Sequence, residues 1–102
     1  MDIFTALAHP QRRQILDALI EGERSVGELC ASCAMSQPAV SKQLRVLRDV
    51  GLVGVRVDAQ RRQYRIEPVA LREVDRWLER YRRYWSGRLD ALEAHLESKE
   101  DE

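Results

Sequence analysis

Between Leu71 and Leu96 the apolar residues Leu71, Val74, Leu78, Tyr81, Trp85, Leu89, Leu92 and Leu96 follow one another in steps of three or four, a nearly unbroken heptad seam. Trp77 and Tyr84 widen it on one side. Pro68 suits a first helical turn, so the spacing predicts a helix from about Val69 to Glu97, ~40 Å long at about 1.5 Å per residue. A core of short helices cannot cover that length. The surplus face calls for a second chain, and Val74, Trp77, Leu78, Tyr81, Trp85, Leu89 and Leu92 are the expected dimer contacts. Gly87 is the weak point of the seam, costing about 1 kcal/mol against alanine. Ser98 to Glu102 reads as a frayed acidic end.

Shorter helices precede it. Ile3, Phe4 and Leu7 suggest a brief leading helix. Pro10 opens a second, with Ile15, Leu16, Leu19 and Ile20 as its apolar stripe and Gly22 as its stop. His9 before it reads as a capping or surface residue. Ser25 followed by Glu28 is a capping-box pattern, and Val26, Leu29, Cys30 and Cys33 supply the inner face behind it. Ser36 caps the next helix, Gln37 to about Val50, whose Val40, Leu44 and Leu47 point inward and which Gly51 terminates. Two short helices joined by a tight turn, the second basic on its outer face, form a helix-turn-helix. The period then drops to two. Val53, Val55 and Val57, a polar tip at Asp58, Ala59 and Gln60, and Arg62, Tyr64 and Ile66 make a β-hairpin. The fold expected is mainly α with a small β-hairpin: a winged helix-turn-helix with a long C-terminal dimerisation helix. Residues 1–102 form one domain, of which 68–97 is that helix.

Composition removes other classes. With 44% hydrophobic and 33% charged residues the chain is neither a disordered tail nor a membrane protein, and its apolar runs fall far short of the ~20 residues that span a bilayer. The amino terminus shows no signal-peptide pattern, and two cysteines specify no disulfide framework, so a cytoplasmic location is expected. Net charge is zero, yet Ser36 to Arg65 carries +5 (seven basic, two acidic residues) and Ser86 to Glu102 carries −4 (two basic, six acidic). One face is suited to an anion, and the tail to solvent.

Ala6-Leu7-Ala8-His9-Pro10-Gln11-Arg12-Arg13-Gln14-Ile15-Leu16, Ser36-Gln37-Pro38-Ala39-Val40-Ser41-Lys42-Gln43-Leu44-Arg45-Val46-Leu47 and Gly51-Leu52-Val53 closely resemble the ArsR/SmtB family of winged-helix repressors. The runs Leu71 to Leu78 and Trp85 to Leu89 look like a branch with a long aromatic last helix. The resemblance implies a homodimer joined through terminal helices. It also implies repression by occupying a palindromic promoter operator on double-stranded DNA until a signal, here unknown, weakens binding.

On that reading the Gln37 helix enters the major groove with Pro38, Ser41, Lys42 and Arg45 outward. Gln37, Ser41 and Lys42 are the base-edge candidates, because Gln pairs bidentately with adenine and Lys or Arg with guanine. Ser36 serves first as the cap. Arg61 and Arg62 at the hairpin, and Arg56 less directly, reach phosphates or the minor groove, or equally protect an edge strand by charge. Tyr64 packs across the hairpin. Many relatives have His where Gln43 stands, so no operator sequence is inferred. Arg12 and Arg13 sit in a first turn that the helix dipole disfavours for cations; one is expected in an intramolecular salt bridge and the other on a DNA phosphate.

Cys30 and Cys33 fall where arsenic- and metal-sensing relatives place thiolates, but C-x-x-C is not the metalloid C-x-C, and His95 has no second histidine beside it. Packing is the simpler role. No metal or cofactor is expected, and no catalytic motif is present, so an enzyme is not indicated. Two other readings stay open: a protein-interaction module using the heptad helix, and a thiol-based metalloid- or redox-sensing repressor using Cys30 and Cys33.

Overall fold

Each of the first four helices begins where a short polar side chain precedes the first turn and accepts an otherwise unpaired backbone N–H. The computed structural model describes residues 1–100. Asp2 caps α1 (Ile3–Leu7), accepting from the Thr5 N–H at 2.7 Å. Nδ1 of His9 caps α2 (Pro10–Ile20), accepting from Gln11 at 3.2 Å. Ser25 and Glu28 close the expected reciprocal box on α3 (Val26–Cys33), each accepting from the other's backbone N–H at 3.2 and 3.1 Å. Oγ of Ser36 accepts from Ala39 at 3.3 Å and starts α4 (Gln37–Asp49).

Helix ends are equally defined. Gly51 takes φ +81° after α4, with its N–H bonded to the Arg48 carbonyl and that of Leu52 to the Leu47 carbonyl, the Schellman pattern. The turn from α3 to α4 repeats the wrapped-back bond, Met35 to the Cys30 carbonyl at 3.2 Å, with Ala34 rather than glycine in the left-handed conformation.

Strands β1 (Val53–Asp58) and β2 (Arg61–Ile66) pair antiparallel, Val55 facing Tyr64 and Asp58 facing Arg61. Asp58 is therefore strand, and the tip is Ala59-Gln60, tighter than the three residues expected. Arg24, between α2 and α3, pairs with the outer edge of β2 through two backbone hydrogen bonds to Tyr64, at 3.1 and 2.8 Å. Tyr64 is buried at that junction. The β2 edge of the hairpin is thus tied to the segment between α2 and α3.

Ile15, Leu29, Val40, Leu44, Leu47 and Leu52 are essentially without solvent exposure and form the centre of the core, each contributing roughly 1.5–3 kcal/mol by burial. Ile20, expected in the inner stripe, is 72% exposed because it lies a full helical step off the line through Ile15 and Leu19. Val57 is 68% exposed, since the hairpin tip runs past the last core residue. Cys30 and Cys33 are only half-buried, and Leu29 alone of the α3 inner face is fully buried.

Arg12 and Arg13 are held by carbonyls and an amide rather than by the expected carboxylate. No salt bridge engages either of them among the described residues. Arg13 donates to the Leu7 carbonyl at 2.8 Å and Arg12 to the Ala6 carbonyl at 3.4 Å. Their charge meets the negative end of α1, which offsets their unfavourable place in the first turn of α2.

The chain forms two compact units, Met1–Arg72 and the part of α5 (Pro68–Glu100) from Glu73 on. At 33 residues α5 is longer than predicted, ~50 Å at about 1.5 Å per residue, and Ser98 continues it rather than fraying. Asp101 and Glu102 lie outside the described residues. Along its surface Trp77, Tyr81 and Trp85 stack at i, i+4 spacing, with ring centroids 4.9 and 6.1 Å apart. Arg82 clips Asp75 at 2.7 Å and Glu79 at 3.0 Å.

Candidate nucleic-acid interface

Helix α4 is strongly two-faced. Val40, Gln43, Leu44 and Leu47 are buried, whereas Ser36, Gln37, Pro38, Ser41, Lys42 and Arg45 are exposed. Every α4 residue predicted to touch DNA therefore stands on the solvent side. Ser36 spends its hydroxyl on the Ala39 N–H, so its role in the fold is that of a cap. Pro38 in the first turn presents its ring outward without losing an intrahelical bond.

The hairpin divides its arginines. Arg56 donates to Glu23 through Nη2 at 2.8 Å and Nε at 3.1 Å and lies 3.7 Å from Asp58. Arg65 pairs with Glu67 at 3.0 Å, directly over Gly54, where a Cβ would collide with the Glu67 carboxylate. Arg61 and Arg62 are exposed, and they border an open groove with Ser25 to Glu28 at the start of α3. Arg56 is thus built into the protein, and Arg61 and Arg62 are presented by it.

The same sorting holds across Met1–Arg72. Arg24, Arg56 and Arg65 have carboxylate partners. Among the described residues no salt bridge engages Lys42, Arg45, Arg48, Arg61 or Arg62, all of them exposed. Cations outside any salt bridge leave their hydrogen-bond donors open to an external anion, with Arg61 in the field of Glu28 and Asp49 beside Arg45 and Arg48. Arg48 was not among the predicted contacts. Its position three residues after Arg45, one turn along the same helix, was the signal available.

Gln43 is the second residue that sequence reasoning did not place. It is buried, 5% exposed, on the inner flank of α4. Its polarity hid it in a helix whose other inward residues are apolar.

Cys33 lies in a cleft of about 450 Å³ with Asp17, Glu21 and Arg24. Burial, then the neighbouring Cys30 and Asp17, push its thiol above the usual cysteine range. Among the described residues no group of three or more His, Cys, Asp or Glu side chains is arranged to hold a metal ion. No described helix is long and apolar enough to cross a membrane.

Residues 9–55, from the cap of α2 to the middle of β1, match the family model described as "Bacterial regulatory protein, arsR family". The chain is 44% identical to the biofilm growth-associated repressor of Agrobacterium fabrum over 63% of its own length and 55% of that protein's. It is 35% identical to the HTH-type transcriptional regulator Rv2034 of Mycobacterium tuberculosis over 95% of its length and 88% of that protein's. Its structure is similar to the homodimeric winged helix-turn-helix DNA-binding domain Mb0332 of Mycobacterium bovis, with a TM-score of 0.62 and 33% identity over 86% of this chain and 79% of that one.

Proposed function

The chain belongs to the arsR family of bacterial transcriptional regulators, and from that premise we propose that it represses transcription as a homodimer bound to a palindromic operator in double-stranded DNA. The observation that carries this reading is the set of exposed cations without carboxylate partners on α4 and at the hairpin tip. On this reading Gln37, Ser41 and Lys42 read base edges in the major groove, with Pro38 and Arg45 beside them and Ser36 fixing the helix start. Arg61 and Arg62 hold flanking phosphates or the minor groove, with Arg56 behind them. All 102 residues act as one DNA-binding domain, with residues 68–97 supplying the dimer helix through Val74, Trp77, Leu78, Tyr81, Trp85, Leu89 and Leu92.

A dimer is needed because one short helix makes few base contacts, and two related by a dyad read half-sites one DNA turn apart, ~34–36 Å. With zero net charge, affinity rests on the local cations and falls steeply with salt. The reading puts the protein in the cytoplasm, beside the DNA, and assigns it no catalysis and no cofactor.

The test is selection of duplexes from a random pool by the purified protein, followed by titration of the recovered sequence. Wild type is expected to prefer a two-fold symmetric site over scrambled DNA, and Lys42→Ala with Arg45→Ala to lose that preference by about 1–3 kcal/mol per base contact. A protein that enriches no sequence at moderate salt is not an operator-binding repressor.

A further inference from the structure

Among the described residues Gln43 is the buried polar side chain of the core, and both polar atoms of its amide are engaged. Oε1 accepts from Nε of Arg12 at 2.8 Å, and Nε2 donates to Oε1 of Gln11 at 3.4 Å. The same guanidinium donates through Nη1 to the Ala6 carbonyl at 3.4 Å and lies 3.6 Å from the Met1 sulfur. One side chain of α2 therefore joins the end of α1 to the inner flank of α4. No carboxylate forms a salt bridge with Arg12 among the described residues, so its charge strengthens a bond to a neutral amide.

The other inward residues of α4, Val40, Leu44 and Leu47, are aliphatic. Apolar contact fixes how closely a helix approaches its neighbours but is non-directional, and it resists rotation about the helix axis weakly. A hydrogen bond depends on angle as well as distance. At 3.6 residues per turn Gln43 lies roughly opposite Arg45 and Ser41, so a small rotation at Gln43 swings those side chains through a groove where ~1 Å decides a base contact. A leucine at this position would serve packing without the demand for two polar partners.

We propose that the Arg12–Gln43 hydrogen bond is a positioning latch that fixes the rotation of α4, and with it how Ser41 and Lys42 meet base edges and where Arg45 stands beside them. Gln43 and Arg12 are positioning residues that act through those side chains. The inference rests on the DNA-binding reading above. It adds that sequence preference, as distinct from affinity for DNA in general, depends on two residues facing the protein interior.

The experiment uses the full-length protein, the duplex that wild type selects from a random pool, and a scrambled duplex of equal length. Gln43→Leu removes the acceptor while keeping a good helix former at a buried site. It is expected to lower the selected-over-scrambled affinity ratio about tenfold, with scrambled binding unchanged and a melting temperature somewhat below that of wild type, since the Arg12 guanidinium loses its acceptor. Gln43→Glu restores an acceptor for Arg12, with the Gln11 amide turned to donate, and is expected to recover the ratio. Arg12→Met removes the donor instead. It is expected to reproduce the loss and to add little to Gln43→Leu in the double variant; it also carries the test if Gln43→Leu does not fold. A ratio within about twofold of wild type in a folded Gln43→Leu or Arg12→Met protein overturns the latch, as does failure of Gln43→Glu to recover it. If wild type itself selects no duplex, the DNA-binding reading has failed and the latch falls with it; if wild type selects one and the variants select it equally well, the latch alone has failed.

Discussion

The guanidinium of Arg56 on β1 lies 2.8 Å from the carboxylate of Glu23 in the segment joining α2 and α3, so the hairpin is tied to the helical body by charge as well as by the Arg24–Tyr64 backbone bonds. Hydrogen bonding from Arg56 holds the Glu23 carboxyl below its ordinary value of 4.5; desolvation opposes the shift and the Arg56 charge reinforces it. A carboxylate depressed in the folded state contributes stability that is complete above the unfolded value and lost as pH falls through the folded one. The tether is therefore indifferent to pH between neutrality and about 5 and weakens only below the glutamate range. Both partners are partly exposed, so solvent screens the effect. NMR titration of Glu23 is expected to give a midpoint that rises in Arg56→Gln; an unmoved midpoint would mean the pair does not form in solution.

The paired and unpaired arginines of the hairpin should separate in salt titrations. Each phosphate contact contributes about 0.9 to the slope of log affinity against log salt. Arg61→Ala and Arg62→Ala are expected to flatten the slope by roughly that amount each, lowering affinity for all sequences alike. Arg56→Ala is expected to leave the slope unchanged and lower the melting temperature. A flattened slope in Arg56→Ala would move that residue from the tether to the DNA contacts.

Most of this architecture could be read from spacing because local rules and burial agreed. The cap at Ser25, the stop at Gly51, the switch to period two at Val53 and the outward face of Lys42 and Arg45 are properties of short windows. Partner choice was not legible. Arg12, Arg13 and Arg56 look alike as sequence, yet they bond to an amide and a carbonyl, to a carbonyl, and to a carboxylate, respectively, because the fold brings residues far apart in the chain together. Gln43 was missed for the related reason that a buried polar residue is recognisable only once its partners are known.

The turn between α3 and α4 holds a local conflict. Ala34 adopts φ 52°, ψ 46°, a left-handed conformation that costs an L-residue roughly 1–2 kcal/mol. Ala34→Gly removes that strain and loses about 0.5–1 kcal/mol to the greater freedom of the unfolded chain, for a net gain near 0.5 kcal/mol. Ala31→Gly, at an exposed position inside α3, is expected to cost about 1 kcal/mol. Chemical denaturation of both variants checks the opposite signs; two losses of equal size would mean that residue 34 is not left-handed.

Cys33 provides a chemical test of its surroundings. Burial first, then the nearby Cys30 and Asp17, disfavour the thiolate, so at neutral pH Cys33 is expected to alkylate more slowly than a free cysteine. Asp17→Asn removes one negative neighbour and should move the pH profile of the reaction downward. Following iodoacetamide labelling by mass spectrometry across pH resolves Cys33 from Cys30. A midpoint at or below the free-thiol value would show that this face is electropositive in solution and revive a sensing role for the pair.

The surface proposed for assembly is the exposed seam of α5. Trp77, Trp85 and Leu89 are 45%, 47% and 62% exposed, and Leu92 and Leu96 continue the same line. Trp and Tyr side chains bury about 150–250 Å² each when covered, and somewhat under half of that is still open at Trp77, Tyr81 and Trp85, so the stack together with Leu89, Leu92 and Leu96 reaches the size of patch that marks an interaction site. A carboxylate at its centre would have to be desolvated without a partner when two copies meet. Trp85→Glu and Leu89→Glu are therefore expected to weaken self-association by at least about 2 kcal/mol, roughly thirtyfold in dissociation constant, and to lower operator affinity with it. Arg83, 83% exposed at its side chain and roughly opposite on the helix, is the control, and Arg83→Ala should associate as wild type does. Sedimentation equilibrium reads all three variants. A Trp85→Glu protein that remains dimeric at wild-type concentrations would place the subunit contact away from this seam.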